Sequence, residues 1–221
     1  MKTLIAIPCM DTVPVEFMSS MINLKKTEDT FYAVNVGSLI YDSRNSFVAT
    51  AINKGYDRVL WLDSDMVFEP DLLERLSADM DKNNLDYVCG LYFKRKFPTS
   101  PVVYKAITYQ NEPGKPVVAK AEAYRDYPEG KLFECAGSGF GAVLTKTEML
   151  KTVWERFGPP FDPLQQLGED LAFCYRAGQL GLKMWCDSSV IVGHAGKLIY
   201  DEDVYKQQKM SAKGDVMEVT P

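Results

Sequence analysis

The chain has 221 residues, 46% of them hydrophobic, and a net charge of −5. That is enough for one full-sized core and too little for two independent ones. The negative balance removes the global basic field on which nucleic-acid binding relies. The five cysteines are an odd number without a Cys-x-x-Cys pair, and read as free, mostly buried thiols in a reducing cytoplasm. The apolar run 4–7 is cut by Pro8 and is too short for a secretory signal, and no stretch approaches a membrane span.

In chain order, residues 3–7 read as a first strand and 8–14 as the loop at its carboxyl end. A helix follows from about Pro14, with Val15, Met18 and Ile22 as its apolar face. Residues 31–36 form a second strand. Asp42 or Ser43 caps a helix running to Lys54, with Phe47, Val48, Ala51 and Ile52 inward and Gly55 ending it. Residues 59–62 are a third strand, short and apolar throughout, as a strand buried on both faces requires. Glu69-Pro70-Asp71 opens a helix with Leu72, Leu73 and Leu76 inward, and 87–93 is a fourth strand. This alternation describes an open, mostly parallel α/β sheet of Rossmann-like type flanked by helices.

Residues 94–134 break the pattern. They are rich in Pro, Tyr, Lys and Gly and read as an edge β-hairpin or two. Residues 135–144 return to the core through Gly137-Ser138-Gly139-Phe140-Gly141. That run lacks the Lys-Ser/Thr of a phosphate loop and does not open a helix after a strand, so it is no dinucleotide fingerprint. Close approach of backbone to a ligand ring and a plain bulge both fit it. Thr145 with Glu148 forms a capping box for the next helix. Gly168-Glu169-Asp170 opens another, and 184–192 is the last strand, ending at Gly193-His194. The expected division is one domain over 1–200 and a charged tail over 201–221, loosely packed or a short helix.

The chemistry concentrates at Asp63-Ser64-Asp65. Two carboxylates spaced i, i+2 at a strand end point the same way and repel unless a cation lies between them. Hard divalent ions suit such oxygen ligands and recruit substrate phosphates. The alternative is a pair of solvated turn aspartates. Arg44 lies in the first turn of its helix against the dipole, which calls for an anionic partner: a diphosphate, Asp42 or Asp63. Asn45 beside it has the groups to bind a sugar or base. Asp170 reads either as a general base or as a helix-terminal acid, with Glu169 alongside. His194, the sole histidine, ends a strand as Asp65 does, and is either a third metal ligand or a structural residue.

In this order, a strand ending in Asp63-Ser64-Asp65, a Gly-rich strand entry, Gly168-Glu169-Asp170 and a late strand ending at Gly193-His194 form an ordered set. Over residues 1–195 the set resembles nucleotide-sugar-dependent glycosyltransferases of the A-type fold, most closely family 2. The resemblance implies Asp65, Asp63 and His194 at a Mn²⁺ or Mg²⁺ ion, with Asp63 also near the donor ribose. It implies Pro8, Asp11, Arg44, Asn45, Asp63 and Ser64 at a nucleotide-diphospho-sugar donor. Asp170, with Glu169, would serve a saccharide or other hydroxyl acceptor shaped by 94–134. The chain lacks the long C-terminal region of processive members, and Asp11 is only a loop candidate for the uracil-binding aspartate. The Val-Leu-Trp-Leu-Asp-Ser-Asp run is also similar to fungal α-mannosyltransferases, which retain configuration. Inversion is favoured here with retention open. The alternatives are a haloacid-dehalogenase-like phosphatase, a sugar nucleotidyltransferase and a non-catalytic carbohydrate-binding protein.

Overall fold

A computed structural model describes residues 1–196 and 199–211. The chain begins β1 (Thr3–Cys9), α1 (Val15–Asn23), β2 (Thr30–Val36), α2 (Ile40–Asn53), β3 (Arg58–Leu62), β4 (Met66–Val67), α3 (Leu72–Asn83) and β5 (Tyr87–Leu91). It continues with β6 (Val103–Gln110), β7 (Val118–Ala123), β8 (Leu132–Cys135), β9 (Gly137–Ser138), β10 (Ala142–Lys146), α4 (Thr147–Phe157) and α5 (Glu169–Gln179). β11 (Met184–Ile191), β12 (Gly193–His194) and α6 (Glu202–Ser211) complete the described elements.

Seven strands form the main sheet in the order β2-β1-β3-β10-β5-β11-β8. β2, β1, β3, β5 and β11 share one direction, while β10 and β8 run against them. β1 and β3 are buried at every position, which requires cover on both faces. One face packs Phe47 and Val48 of α2, Met149, Leu150 and Val153 of α4, and Phe173 of α5. The other packs Phe17 of α1 and Leu72, Leu73, Leu76 and Met80 of α3. The carboxyl ends of the parallel strands thus gather the loops after β1, β3, β5 and β11 along one rim, where ligands of open α/β sheets bind.

Several expectations change in the folded chain. The hairpin is real, since β6 and β7 pair antiparallel, but it forms a separate sheet with β9. The main sheet's edge is taken instead by β8. α2 starts at Ile40, so Asp42 and Ser43 lie within the helix and not at its cap. In α1, Val15, Met18 and Ile22 face outward. The helix docks by its other stripe, with Phe17 edge-on to Phe68 and the Ser20 hydroxyl accepting the Phe68 N–H at 3.1 Å. An aromatic ring offers more area to bury than the rival aliphatic stripe does per residue. Of the two forms expected for the tail, residues 202–211 take the short helix, α6, whose Tyr205 is buried and stacks on Phe93 with centroids 4.9 Å apart. Residues 212–221 of the expected tail lie outside the described residues. Among the described residues no helix is long and apolar enough to cross a membrane.

Thr145 is also not a helix cap. It sits inside β10, fully buried, and its hydroxyl accepts the indole N–H of Trp61 at 3.0 Å. Trp61 has no exposed surface, so its N–H has no access to water. Thr145→Val keeps the shape and removes the acceptor, stranding that donor. The expected loss is about 1–3 kcal/mol of unfolding free energy, measured as a lower urea midpoint at unchanged slope.

Candidate active site

β3 delivers Asp63 to the rim, and a tight turn follows. The Asp63 N–H donates to the Gly141 carbonyl (3.1 Å), and the Met66 N–H donates back to the Asp63 carbonyl (3.2 Å). β4 then pairs antiparallel with β12, setting Met66 opposite His194. The Ala195 N–H closes the arrangement on the Asp65 carbonyl at 2.8 Å. This two-residue ladder brings together Asp65 and His194, which are far apart in sequence.

His194 Nδ1 lies 2.9 Å from the Phe93 carbonyl, an acceptor, so Nδ1 carries the proton. Nε2 then faces Asp65 Oδ2 at 3.4 Å. Arg95 Nη1 reaches the same oxygen at 2.8 Å. Burial alone would raise the Asp65 pKa, but His194 and Arg95 outweigh it and hold the carboxyl below its usual range. An imidazole nitrogen fixed by a carbonyl on its far side, beside an ionised carboxylate, is a donor pair suited to a divalent cation. Mg²⁺ and Mn²⁺ commonly take only one or two protein side chains and complete their shell with phosphate and water.

Asp63 does not complete a protein triad there. Among the described residues no group of three His, Cys, Asp or Glu side chains is placed to hold a metal. The reason is Arg44. Its Nη2 holds Asp63 Oδ1 at 2.8 Å and its Nη1 holds Glu169 Oε1 at 2.8 Å, with the guanidinium 2% exposed. Burial pushes its pKa down, yet Asp63, Glu169 and Asp170 together lift it above the ordinary value. Its carbon centre lies 5.3 Å from the Phe140 ring and 5.8 Å from Phe161. Arg44 is therefore closed off between two carboxylates and an aromatic floor, and Glu169 is an anchor rather than a free base.

Asp170 stands in the first turn of α5, whose N-cap is Gly168, without a side-chain cap. Its Oδ1 accepts the Leu171 N–H at 2.7 Å. Its Oδ2 overhangs Gly139, where an added Cβ would lie 3.3 Å from it and 2.1 Å from the Tyr92 hydroxyl. The glycine run thus makes room for the protein's own side chains. Burial, with Glu169 next, raises the Asp170 pKa to about 6. Tyr92, just beyond β5, accepts the Gly141 N–H at 3.2 Å, and burial, Asp63 and Asp170 push its pKa well up.

Residues 37–138 match the model for glycosyl transferase family 2. The crystal structure of A197 from STIV superposes with a TM-score of 0.66 at 22% identity, covering 92% of this chain and 91% of that one. GalNAc-T7, crystallised with UDP, GalNAc and Mn²⁺, gives 0.59 at 12% identity, covering 90% of this chain and 44% of its own. No curated protein sequence matches the chain. The chain has the A-type glycosyltransferase fold. The family 2 match supports a glycosyl-transfer function and covers Arg44 and the Asp-x-Asp turn. It stops before Asp170 and His194, so their place in the site rests on the geometry above.

Against this glycosyltransferase frame, the remaining expected residues divide. Asn45 does not face the rim's carboxylates: its Nδ2 donates to Asp162 (2.8 Å) and its Oδ1 accepts the Phe161 N–H (2.9 Å), pinning the loop before α5. Pro8 lies in β1, paired with Asn35. Asp11 is exposed in the loop after β1, accepting from Thr12 at 3.3 Å. Ser64 is the partly exposed middle of the Asp-x-Asp turn. Tyr92 was not marked by any motif; its position one residue past a parallel strand was the available signal.

Two outcomes follow. Arg44→Met leaves Asp63 and Glu169 uncompensated, and denaturant titration should show a loss of about 3 kcal/mol. In the metal-free protein, the carboxyl carbon of Asp170, read by NMR against Asp170→Asn, should titrate near pH 6. Because this folded pKa lies above the unfolded one, Asp170 favours folding fully below about pH 4. That contribution disappears as pH rises through 6.

Proposed function

We propose that the protein moves a sugar from a nucleotide-diphospho-sugar to an acceptor hydroxyl, with Mn²⁺ or Mg²⁺ as cofactor. One observation carries the reading: two carboxylates on the same rim have environments that drive their pKa values apart. Asp65 is held ionised beside His194 and Arg95, while Asp170 is raised to about 6. That divergence supports an electrostatic role for the first and a proton-transfer role for the second.

Asp65 and His194 Nε2 would hold the cation, whose charge would offset that gathering on the leaving diphosphate. Arg95 adds fixed positive charge at the same place. Asp63, oriented by Arg44, keeps part of its side chain exposed, where it would meet the donor ribose. Asp170 accepts the proton of the attacking hydroxyl at Oδ2. A single base acting on the acceptor gives direct displacement, hence inversion at the anomeric carbon. The ligands named for GalNAc-T7, UDP and Mn²⁺, are the first probes to use. The phosphatase reading would need Asp63 free as nucleophile, whereas its Oδ1 is held by Arg44. Five buried free thiols support a reducing, cytoplasmic setting.

The test is a calorimetric panel of nucleotide-sugars with and without Mn²⁺, followed by transfer assays. Asp65→Ala should lose Mn²⁺-dependent nucleotide binding and at least ~10²-fold in transfer. Asp170→Asn should keep donor affinity and lose ~10²–10⁴-fold in transfer. Full activity in excess chelator would overturn the metal assignment, and near-normal transfer by Asp170→Asn would overturn the base. A product of retained configuration, read by NMR of the anomeric proton, would exclude direct displacement.

A further inference from the structure

We infer that the acceptor is an anion, a hydroxyl compound carrying phosphate, received in a basic cavity on the Asp170 side of the β6–β9 pairing. The inference rests on the glycosyl-transfer reading and names the substrate class of its acceptor side.

The cavity measures about 790 Å³ and lies between the segment after β5, the β6–β7 hairpin and α6. Lys94, Lys96, Lys105, Lys120, Arg125 and Lys209 line it, against only Glu122 and Asp126. This is the reverse of the chain's overall charge of −5. Glu122 is already matched by Lys105 at 3.1 Å. Among the described residues the other five cations form no ion pair, and Lys209 donates only to the Arg125 backbone carbonyl, at 3.3 Å. Burial, and next the nearby charges of Lys96 and Arg125, push the Lys94 ammonium down, more than the Asp170 charge offsets.

Asp170 does not itself line the cavity, but its charge reaches two residues that do, Lys94 and Tyr104. Tyr104, on its wall, pairs with Gly137 of β9, two residues from the Gly139 that Asp170 overhangs. Burial and the Asp170 charge raise the Tyr104 pKa to about 12. The basic run itself divides: Arg95 turns to Asp65, while Lys94 and Lys96 line the cavity. Donor and acceptor anions therefore have separate cationic partners. Lysine ammonium groups act as mobile point charges that suit phosphate, and Phe97 with Tyr104 leaves apolar surface for the carbon skeleton.

The test titrates the full chain with glucose 6-phosphate and with glucose, and separately with vesicles of phosphatidic acid and of phosphatidylcholine. Binding of glucose 6-phosphate at a Kd of about 1 mM or tighter, without binding of glucose, supports a soluble phosphate acceptor. Binding of phosphatidic acid vesicles alone supports a lipid phosphate acceptor. The exposed pair Lys120→Glu/Lys209→Glu should weaken whichever probe binds by ~10-fold or more, with circular dichroism unchanged. Equal binding of phosphorylated and neutral probes, no effect of the double variant, or displacement by UDP–Mn²⁺ would overturn the inference. UDP–Mn²⁺ binding in the same samples separates the two claims. Its loss with phosphate binding intact overturns the transferase reading; its retention without phosphate binding overturns the acceptor assignment.

Discussion

The site depends on one buried guanidinium. Arg44 places a permanent charge where 2% of its surface meets solvent, a position tolerable only while both carboxylates stay in contact. Asp63 directly follows β3 and Glu169 begins α5, so α2 locks two other elements together. The planar fork suits this task, since each terminal nitrogen serves one carboxylate and the flat face rests on Phe140 and Phe161. Those rings belong to a larger cluster with Trp61 and Phe173, fixed in turn by the Trp61–Thr145 hydrogen bond. Any tilt of α5 would disturb this packing and the ion pairs together.

That lock sorts the carboxylates of the rim. Asp63 and Glu169 share the single positive charge of Arg44. Asp65 lies beyond its reach and is held by His194 and Arg95. Asp170 feels Arg44 without a direct bond and remains beside the negative Glu169 in a poorly hydrated position, so its pKa is raised. Four acidic groups within one small region thus have three different electrostatic fates, set by which cation each can touch.

Backbone economy makes the crowding possible. At Gly139 and Gly141 a side chain would collide with Tyr92, and at Gly141 also with Met66. Their absence lets the Asp-x-Asp turn, β5's end and α5 converge. The β4–β12 ladder decides the position of His194, because its register sets Met66 opposite that residue. The separate β6–β7–β9 sheet shares the basic cavity's wall with the segment after β5.

Local patterning by itself determined the elements and the layer architecture. Fully apolar runs such as that of β3 and the period of Leu72, Leu73 and Leu76 are properties of neighbouring residues, readable without any partner. Placement of Asp63, Asp65, Asp170 and His194 at element ends was legible for the same reason. Partner choice was not. Thr145 carries the pattern of a cap, yet it lies in a strand because Trp61 needs its hydroxyl. Asn45 suits a ligand, yet the loop at Phe161 and Asp162 claims both its polar atoms. Val15, Met18 and Ile22 form a valid helical stripe, but Phe17 won the contact with Phe68. Glu169 reads as an acid at a helix start, and only its contact with Arg44, 125 residues away, makes it an anchor. Each of these outcomes is a competition between groups distant in sequence, settled by sheet register and close packing, and so decided only when the chain is folded.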